Sequence, residues 1–223
     1  MNIDLIPLWL TLKLAFLSAV FLFVLTMPLI FWLHFTASRS GNVIRTLVNM
    51  PLVLPPVVVG FYLLLLFSPN HAFGRMLHAV FHTNFVFTFE GLVVGSVLFN
   101  LPFMVNPILS GLEALPRNLA EASFILGRSK FATFLRVLLP SIRPALLTGA
   151  ILTFAHTIGE FGMVLMIGGK IPGVTRVASI AVYDEVESLN FASAHIYSAV
   201  LVAISFAVLL VLLLVNKRFA RTW

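Results

Sequence analysis

Apolar residues run in five blocks along the chain, at 12–33, 47–67, 87–111, 145–167 and 197–215, with most charged residues in the gaps. About 20 mostly apolar residues cover the roughly 30 Å of hydrocarbon in a bilayer, so each block predicts one membrane span. Backbone groups in lipid must pair within a helix or around a closed barrel, and the strict alternation of barrel strands is absent. The pattern therefore predicts helices. Pro51, Pro55 and Pro56 stand at the start of the second block, where each removes a donor, so that helix is expected to begin irregularly or kinked.

Composition strengthens this picture. Of 223 residues, 60% are apolar and 10% charged, and the mean hydropathy is +1.07. Soluble domains run nearer 45–50% apolar and about 25% charged, and one water-soluble core of this size cannot hide such an excess. Lipid is the expected surrounding. With no cysteine, neither a disulfide framework nor a thiolate metal site is available, and the redox compartment stays unread. The start, MNIDLIPLWL, lacks the basic segment and small-residue cleavage site of a signal peptide, so the first block is expected to stay as a span. A net charge of +6 points to nucleic acid only as a basic patch on a soluble fold, and no nucleic-acid partner is expected. No repeat, low-complexity tract or linker divides the chain, which reads as one membrane domain, 1–223.

Charge instead sets orientation. The first and third gaps and the C-terminal tail hold Arg39, Arg45, Arg117, Arg128, Lys130, Arg136, Arg143, Lys217, Arg218 and Arg221; the other side holds Lys13, Arg75, Lys170 and Arg176. Basic residues concentrate on the cytoplasmic side. Ten against four places the N-terminus outside and the tail inside, which an odd number of spans satisfies. Asp184, Glu185 and Glu187 follow the fourth block on the outer side.

The third gap, 112–144, is patterned beyond a simple turn. Pro116 suits a first helical turn, and Leu119, Ala122 and Leu126 recur at helical spacing. Gly127 then suits the left-handed residue that ends a helix. Ser129 can cap a second helix with Phe131, Phe134, Leu135 and Leu138 as its apolar stripe, and Pro140 is expected to stop it. Two short basic helices joined at a glycine result. They suit a hairpin lying on anionic lipid or a docking surface for a soluble partner.

Glu121-Ala122-Ser123, three residues, Gly127, nine residues, then Val137-Leu138-Leu139-Pro140 resembles the signature of ABC-importer permeases: Glu-Ala-Ala, three residues, Gly, nine residues, Ile-x-Leu-Pro. Ser123 and Val137 depart conservatively. The resemblance implies an all-α polytopic membrane protein of the type I ABC importer permease fold, with about five transmembrane helices and a cytoplasmic coupling helix pair at about 112–144. On it, Glu121, Ala122, Ser123, Gly127, Val137, Leu139 and Pro140 are the ATPase-coupling residues. Leu54 to Tyr62, with Pro55, Pro56 and Gly60, looks like the second span of molybdate permeases. Ile158-Gly159-Glu160-Phe161-Gly162, then Gly168 to Thr175 and Tyr183 to Val186, is similar to their fourth span and the loop beyond it. The implied partners are a second copy of the chain, two ATP-binding cassette subunits and a periplasmic molybdate-binding protein, in a bacterial inner membrane. Tungstate and sulfate or thiosulfate permeases are the related alternatives.

No cofactor is expected on this chain; ATP and magnesium belong to the partner ATPase. A phosphate loop needs G-x-x-x-x-G-K-[ST], and around Gly168-Gly169-Lys170 the first glycine is Val164 and the Ser/Thr is Ile171. An intramembrane hydrolase would need a nucleophile and base or a zinc motif, and none is present. A scaffold without transport fits the composition and leaves the pattern from Glu121 to Pro140 unexplained.

Glu160 lies within the fourth block, where an ionisable residue is a functional candidate. An ionised carboxylate repels a dianionic cargo, so a protonated or paired group, or one that holds span packing beside Gly159 and Gly162, is favoured over direct substrate contact; Pro55, Pro56, Gly60, His156, Gly159, Glu160 and Gly162 are the candidates for the translocation path or for span packing. His156 stands four residues earlier, on the same face of a continuous helix, and a hydrogen-bonded pair is favoured over a metal pair without a third ligand. His78 and His82 share that spacing and read as a solvated face. Lys170 and Arg176 are candidate contacts for an external anion or for acidic residues of the binding protein.

Overall fold

The computed structural model describes residues 4–36 and 38–220, with side chains as far as residue 214. Arg221 and the side chains of Lys217 and Arg218, which entered the charge comparison, lie outside the described residues. Among the described residues every regular element is helical.

Helix α1 (Ile6–Phe35) opens with Pro7, whose missing N–H has no intrahelical partner to lose. Leu10, Leu14, Leu22, Ile30 and Leu33 are buried along it, while Trp9, Phe16 and Val24 face outward. Helix α2 (Arg39–Asn49) is capped by the Ser38 hydroxyl, which accepts from the Gly41 N–H at 3.3 Å. It runs through a 3-10 turn, Met50–Leu52, and bends by 112° into α3 (Pro56–Phe67). The three prolines produce the expected irregular start. At 12 residues α3 rises only about 18 Å, short of a full crossing.

A short amphipathic helix, α4 (Ala72–Phe81), precedes the third span, which is α5 (Phe89–Phe99) and α6 (Leu101–Glu113) joined at Asn100. Next come α7 (Arg117–Ile125), α8 (Lys130–Thr133), a π-helical turn Phe134–Leu138 and α9 (Leu139–Ser141), which form the expected hairpin. Helix α10 (Arg143–Ile158) leaves it at a bend of 78°. The fourth block, expected as one helix over 145–167, is broken: α10 ends at Ile158 and α11 (Gly162–Gly168) begins after three residues. Non-helical backbone at membrane depth is tolerated where it is buried in protein or lines a water-filled cavity; in this break Glu160 is 4% exposed and Gly159 is exposed. Helices α12 (Ala178–Glu187) and α13 (Phe191–Ala220) are the last elements among the described residues.

Among the described residues three continuous stretches, Ile6–Phe35, Phe89–Glu113 and Phe191–Leu214, are long and apolar enough to cross a membrane, and the number rises to at most five if Arg39–Leu52 with Pro56–Phe67, and Lys130–Ser141 with Arg143–Ile158, each count as one bent span. Helix α1 packs on α5, α6 and α10; α10 also packs on α6 and α13; α3 packs on α11. The buried Thr11 hydroxyl of α1 accepts from the Ala178 N–H at 2.8 Å and so caps α12.

Candidate functional site

Two places carry the residues singled out by sequence: the break in the fourth span and the hairpin at the opposite end of α10.

At the break, the Ser96 hydroxyl donates to Glu160 Oε2 at 2.6 Å. Asn100 Nδ2 donates to the Ser96 carbonyl at 2.8 Å and reaches Glu160 Oε1 at 3.4 Å. With its amide so engaged, Asn100 turns Oδ1 toward His156 Nδ1 at 2.7 Å, so that nitrogen carries the proton. The imidazole stacks on Phe103 with centroids 3.9 Å apart. The Ser179 hydroxyl donates to the Glu160 carbonyl at 2.6 Å, joining α12 to the same point. Ser96 and Asn100 are fully buried, where an unmet polar group costs about 1–3 kcal/mol. The network therefore pins the broken fourth span to the junction of the third.

The expected shared face of His156 and Glu160 does not form, because the helix ends at Ile158 before Glu160 is reached. Asn100 joins the two instead. Sequence reasoning missed Ser96, Asn100 and Phe103; a Ser and an Asn four residues apart inside an apolar block were the available signal.

Beside this network α3 and α11 touch through glycine. A Cβ on Gly60 would lie 2.8 Å from the Met163 carbonyl oxygen and from Met166 Cβ, and one on Gly162 would lie 2.8 Å from Val57 Cγ2 and 3.4 Å from Pro56 Cβ. Such contact is what small residues permit between membrane helices. Pro55, just before α3, sets its extended entry at ψ 135°. Gly159 is different: it is exposed, and a Cβ there would meet only its own turn at 3.8 Å. Among the described residues of this chain, nothing packs closely on Gly159.

The hairpin closes as its local chemistry directs. Gly127 takes φ +76°, its N–H donates to the Phe124 carbonyl at 2.9 Å, and the Arg128 N–H donates to the Ser123 carbonyl at 3.1 Å. This pairing ends a helix on a left-handed residue. Ser129 Oγ accepts from the Ala132 N–H at 3.2 Å. Ser123 and Thr133, both buried, bond hydroxyl to hydroxyl at 2.9 Å across the turn. Pro140 does not stop the second helix, which runs one residue further to Ser141. The π turn holding Val137 widens the backbone just before Leu139 and Pro140, where a straight α-helix would meet the proline ring.

The hairpin's apolar residues divide. Phe134 and Leu138 are buried, whereas Phe131 and Leu135 of the expected stripe are exposed. Ile125 is 86% and Leu126 79% exposed at the tip, and Glu121 and Ala122 are exposed beside them. The hairpin rests on the end of α1 through rings: Phe31 lies 5.3 Å from Phe134 and 6.0 Å from Phe131, and Phe35 lies 6.5 Å from Phe124. Each aromatic pair of this kind adds about 0.5–1.5 kcal/mol.

Lys170 and Arg176 are not free cations. Lys170 Nζ lies 2.5 Å from Glu187 and 2.9 Å from Asp184, while Arg176 lies 2.8 Å from Asp184 and 3.3 Å from Glu185. The hydrogen bond to Glu187, then that to Asp184, raises the Lys170 ammonium above its ordinary range. Three carboxylates against two cations leave a local excess of negative charge, a poor lure for an oxyanion. His78 Nδ1 engages the Thr83 carbonyl at 3.3 Å, and His82 ends α4 in a left-handed conformation, so the two do not share a helical face.

The family described as "Binding-protein-dependent transport system inner membrane component" matches residues 35–221. The chain is 44% identical over 209 residues to the "Molybdenum transport system permease protein ModB" of Azotobacter vinelandii, covering 94% of this chain and 92% of that one. It is 31% identical over 211 residues to the "Sulfate transport system permease protein CysT" of Escherichia coli, covering 95% and 76%. Among solved structures, an inward-facing MetNI methionine ABC transporter superposes with a TM-score of 0.74 at 19% identity, over 97% of this chain and 94% of that one. A bacterial ABC transporter involved in alginate import gives 0.72 at 19% identity, over 97% and 79%.

Proposed function

The chain belongs to the binding-protein-dependent transport system inner membrane component family, and from that premise we propose that it is the permease subunit of an ATP-driven importer that brings molybdate into the cell. The likeness to the Azotobacter molybdenum permease across nearly both whole chains is the observation that carries the cargo. The exposed tip of the hairpin supports the rest. Ile125 and Leu126 would be left bare in water, and a separate ATPase subunit with an apolar groove covers them.

The chain works as a single membrane domain, its N-terminus outside and its tail in the cytoplasm. A second copy encloses the path, two ATP-binding cassette subunits bind ATP and magnesium below, and a periplasmic molybdate-binding protein delivers cargo above. Force at Gly127 passes by two routes. One runs through the ring contacts of Phe124, Phe131 and Phe134 to α1. The other runs through α9 and α10 to the Glu160 network. ATP binding favours one arrangement of the spans and its hydrolysis the other, a two-state element biased by a ligand.

Reconstitution with the ATPase and binding protein in vesicles tests the reading. Molybdate-loaded binding protein should stimulate ATP hydrolysis and uptake, and Gly127→Val should abolish the stimulation while the complex stays assembled. Val at φ +76° is strained by about 1–2 kcal/mol with nothing to collide with. Full coupling in that variant would sink the proposed transmission. The sulfate likeness supplies the second reading: uptake driven by sulfate-loaded and not molybdate-loaded binding protein would replace the cargo and leave the coupling intact.

A further inference from the structure

Between α1, α10 and α13 lies a groove of about 540 Å³ lined by apolar side chains alone, among them Ala19, Phe23, Ala150, Phe154, Ala207 and Val211. Three alanines, one from each helix, leave the hollow that longer side chains would fill. A second hollow of about 370 Å³ shares Phe16 and Phe154 with the first and has Trp9 and Lys13 in its lining. We propose that these two adjoining hollows form a phospholipid site, with one acyl chain between the three helices and the phosphate on Lys13.

Length supports the assignment. From Lys13 to Val24 helix α1 rises about 16 Å, close to half of the roughly 30 Å hydrocarbon core and so the depth of one leaflet. Charge supports it as well. Lys13 is exposed and makes no ion pair among the described residues, and its Nζ is steadied 4.5 Å from the centroid of the Phe89 ring. A lysine whose stem follows apolar surface carries its head to the interface, and Trp9, one turn nearer the chain start, is of the type found at headgroup depth. An empty apolar hollow forfeits dispersion contacts that an acyl chain restores. Between the three helices the lining is apolar side chains alone, which offer no partner to an oxyanion or a water thread at that depth.

The full complex is placed in nanodiscs of phosphatidylethanolamine and phosphatidylglycerol, extracted in mild detergent and washed, and its retained phospholipid is counted by native mass spectrometry. One molecule per permease copy is expected. Ala207→Phe fills the hollow and should bring retention near zero. Lys13→Gln should lower phosphatidylglycerol occupancy about fivefold, the equivalent of about 1 kcal/mol for one lysine at an anionic surface. Ala150→Leu serves the same end if Ala207→Phe does not fold. Unchanged retention in the filled and Lys13→Gln variants overturns the proposal. So does separation of the two permease copies by the filled variants with lipid retention indifferent to Lys13, which assigns the groove to contact between copies.

Discussion

Ser123 and Thr133 meet hydroxyl to hydroxyl at 2.9 Å, buried on the inner side of the turn made by Gly127. Ser123 stands where the permease signature has alanine, so this chain ties its two hairpin helices with a bond that alanine cannot make. Thr133→Val should strand the Ser123 hydroxyl and destabilise the hairpin by about 1–3 kcal/mol. Adding Ser123→Ala should recover most of that loss, because two apolar replacements leave no orphan. Melting of the purified chain, with both single variants and the double, checks this; equal melting in all four proteins would show the bond to be idle.

Glycine substitutions should separate contact from freedom. Gly60→Ala drives a methyl into the Met163 backbone and Gly162→Ala drives one into Val57, so each should cost about 1–3 kcal/mol of overpacking. Gly159→Ala has room and should stay within about 0.5 kcal/mol of the parent. Thermal stability in a single detergent gives the ranking, which a tolerant Gly60 would reverse.

Glu160→Gln keeps an acceptor for the Ser96 hydroxyl and should leave assembly intact with appreciable transport. Glu160→Ala removes that acceptor and should destabilise the chain by about 1–3 kcal/mol for the stranded Ser96 alone. Complete loss of uptake by an assembled Glu160→Gln complex would assign the carboxylate to the cargo and not to the packing.

The charged cluster after the fourth span sets a pH window. The hydrogen bond from Lys170, then that from Tyr183, holds Glu187 below its ordinary value of 4.5. The stability this gives is present above 4.5 and is lost as pH falls through the lowered value. Lys170 is raised above its ordinary 10.5, so its share is present below 10.5 and is lost as pH rises through the raised value. Protection of α12 from hydrogen exchange, taken relative to the intrinsic amide rate at each pH, should fall on acidification in the parent, and Lys170→Met should be less protected near neutrality with a flatter acid response. Identical profiles would deny the pair any role.

What the sequence made legible follows from how local each cause is. The five blocks were readable because hydrocarbon thickness demands a length, and Gly127 and Ser129 because caps are made by neighbours in the chain. The helix break at Glu160 was not readable. Spacing of i, i+4 places His156 and Glu160 together only if the helix continues, and it ends because Ser96, Asn100 and Ser179, far away in sequence, receive the carboxylate and its carbonyl. The stripe Phe131, Phe134, Leu135 and Leu138 likewise presumed one regular α-helix, whereas the last three fall in a π turn and only Phe134 and Leu138 are buried. The pairing of Lys170 with Glu187 spans 17 positions, beyond any local rule.

The meeting of α3 and α11 has one more consequence. Neither is long enough to cross the bilayer by itself, and where Gly60 faces Met163 there is no side-chain cushion to deform. Two rods pressed bone to bone cannot slide past each other by small rotamer shifts. A displacement of either helix is therefore handed to the other through backbone, with no rotamer change to absorb it.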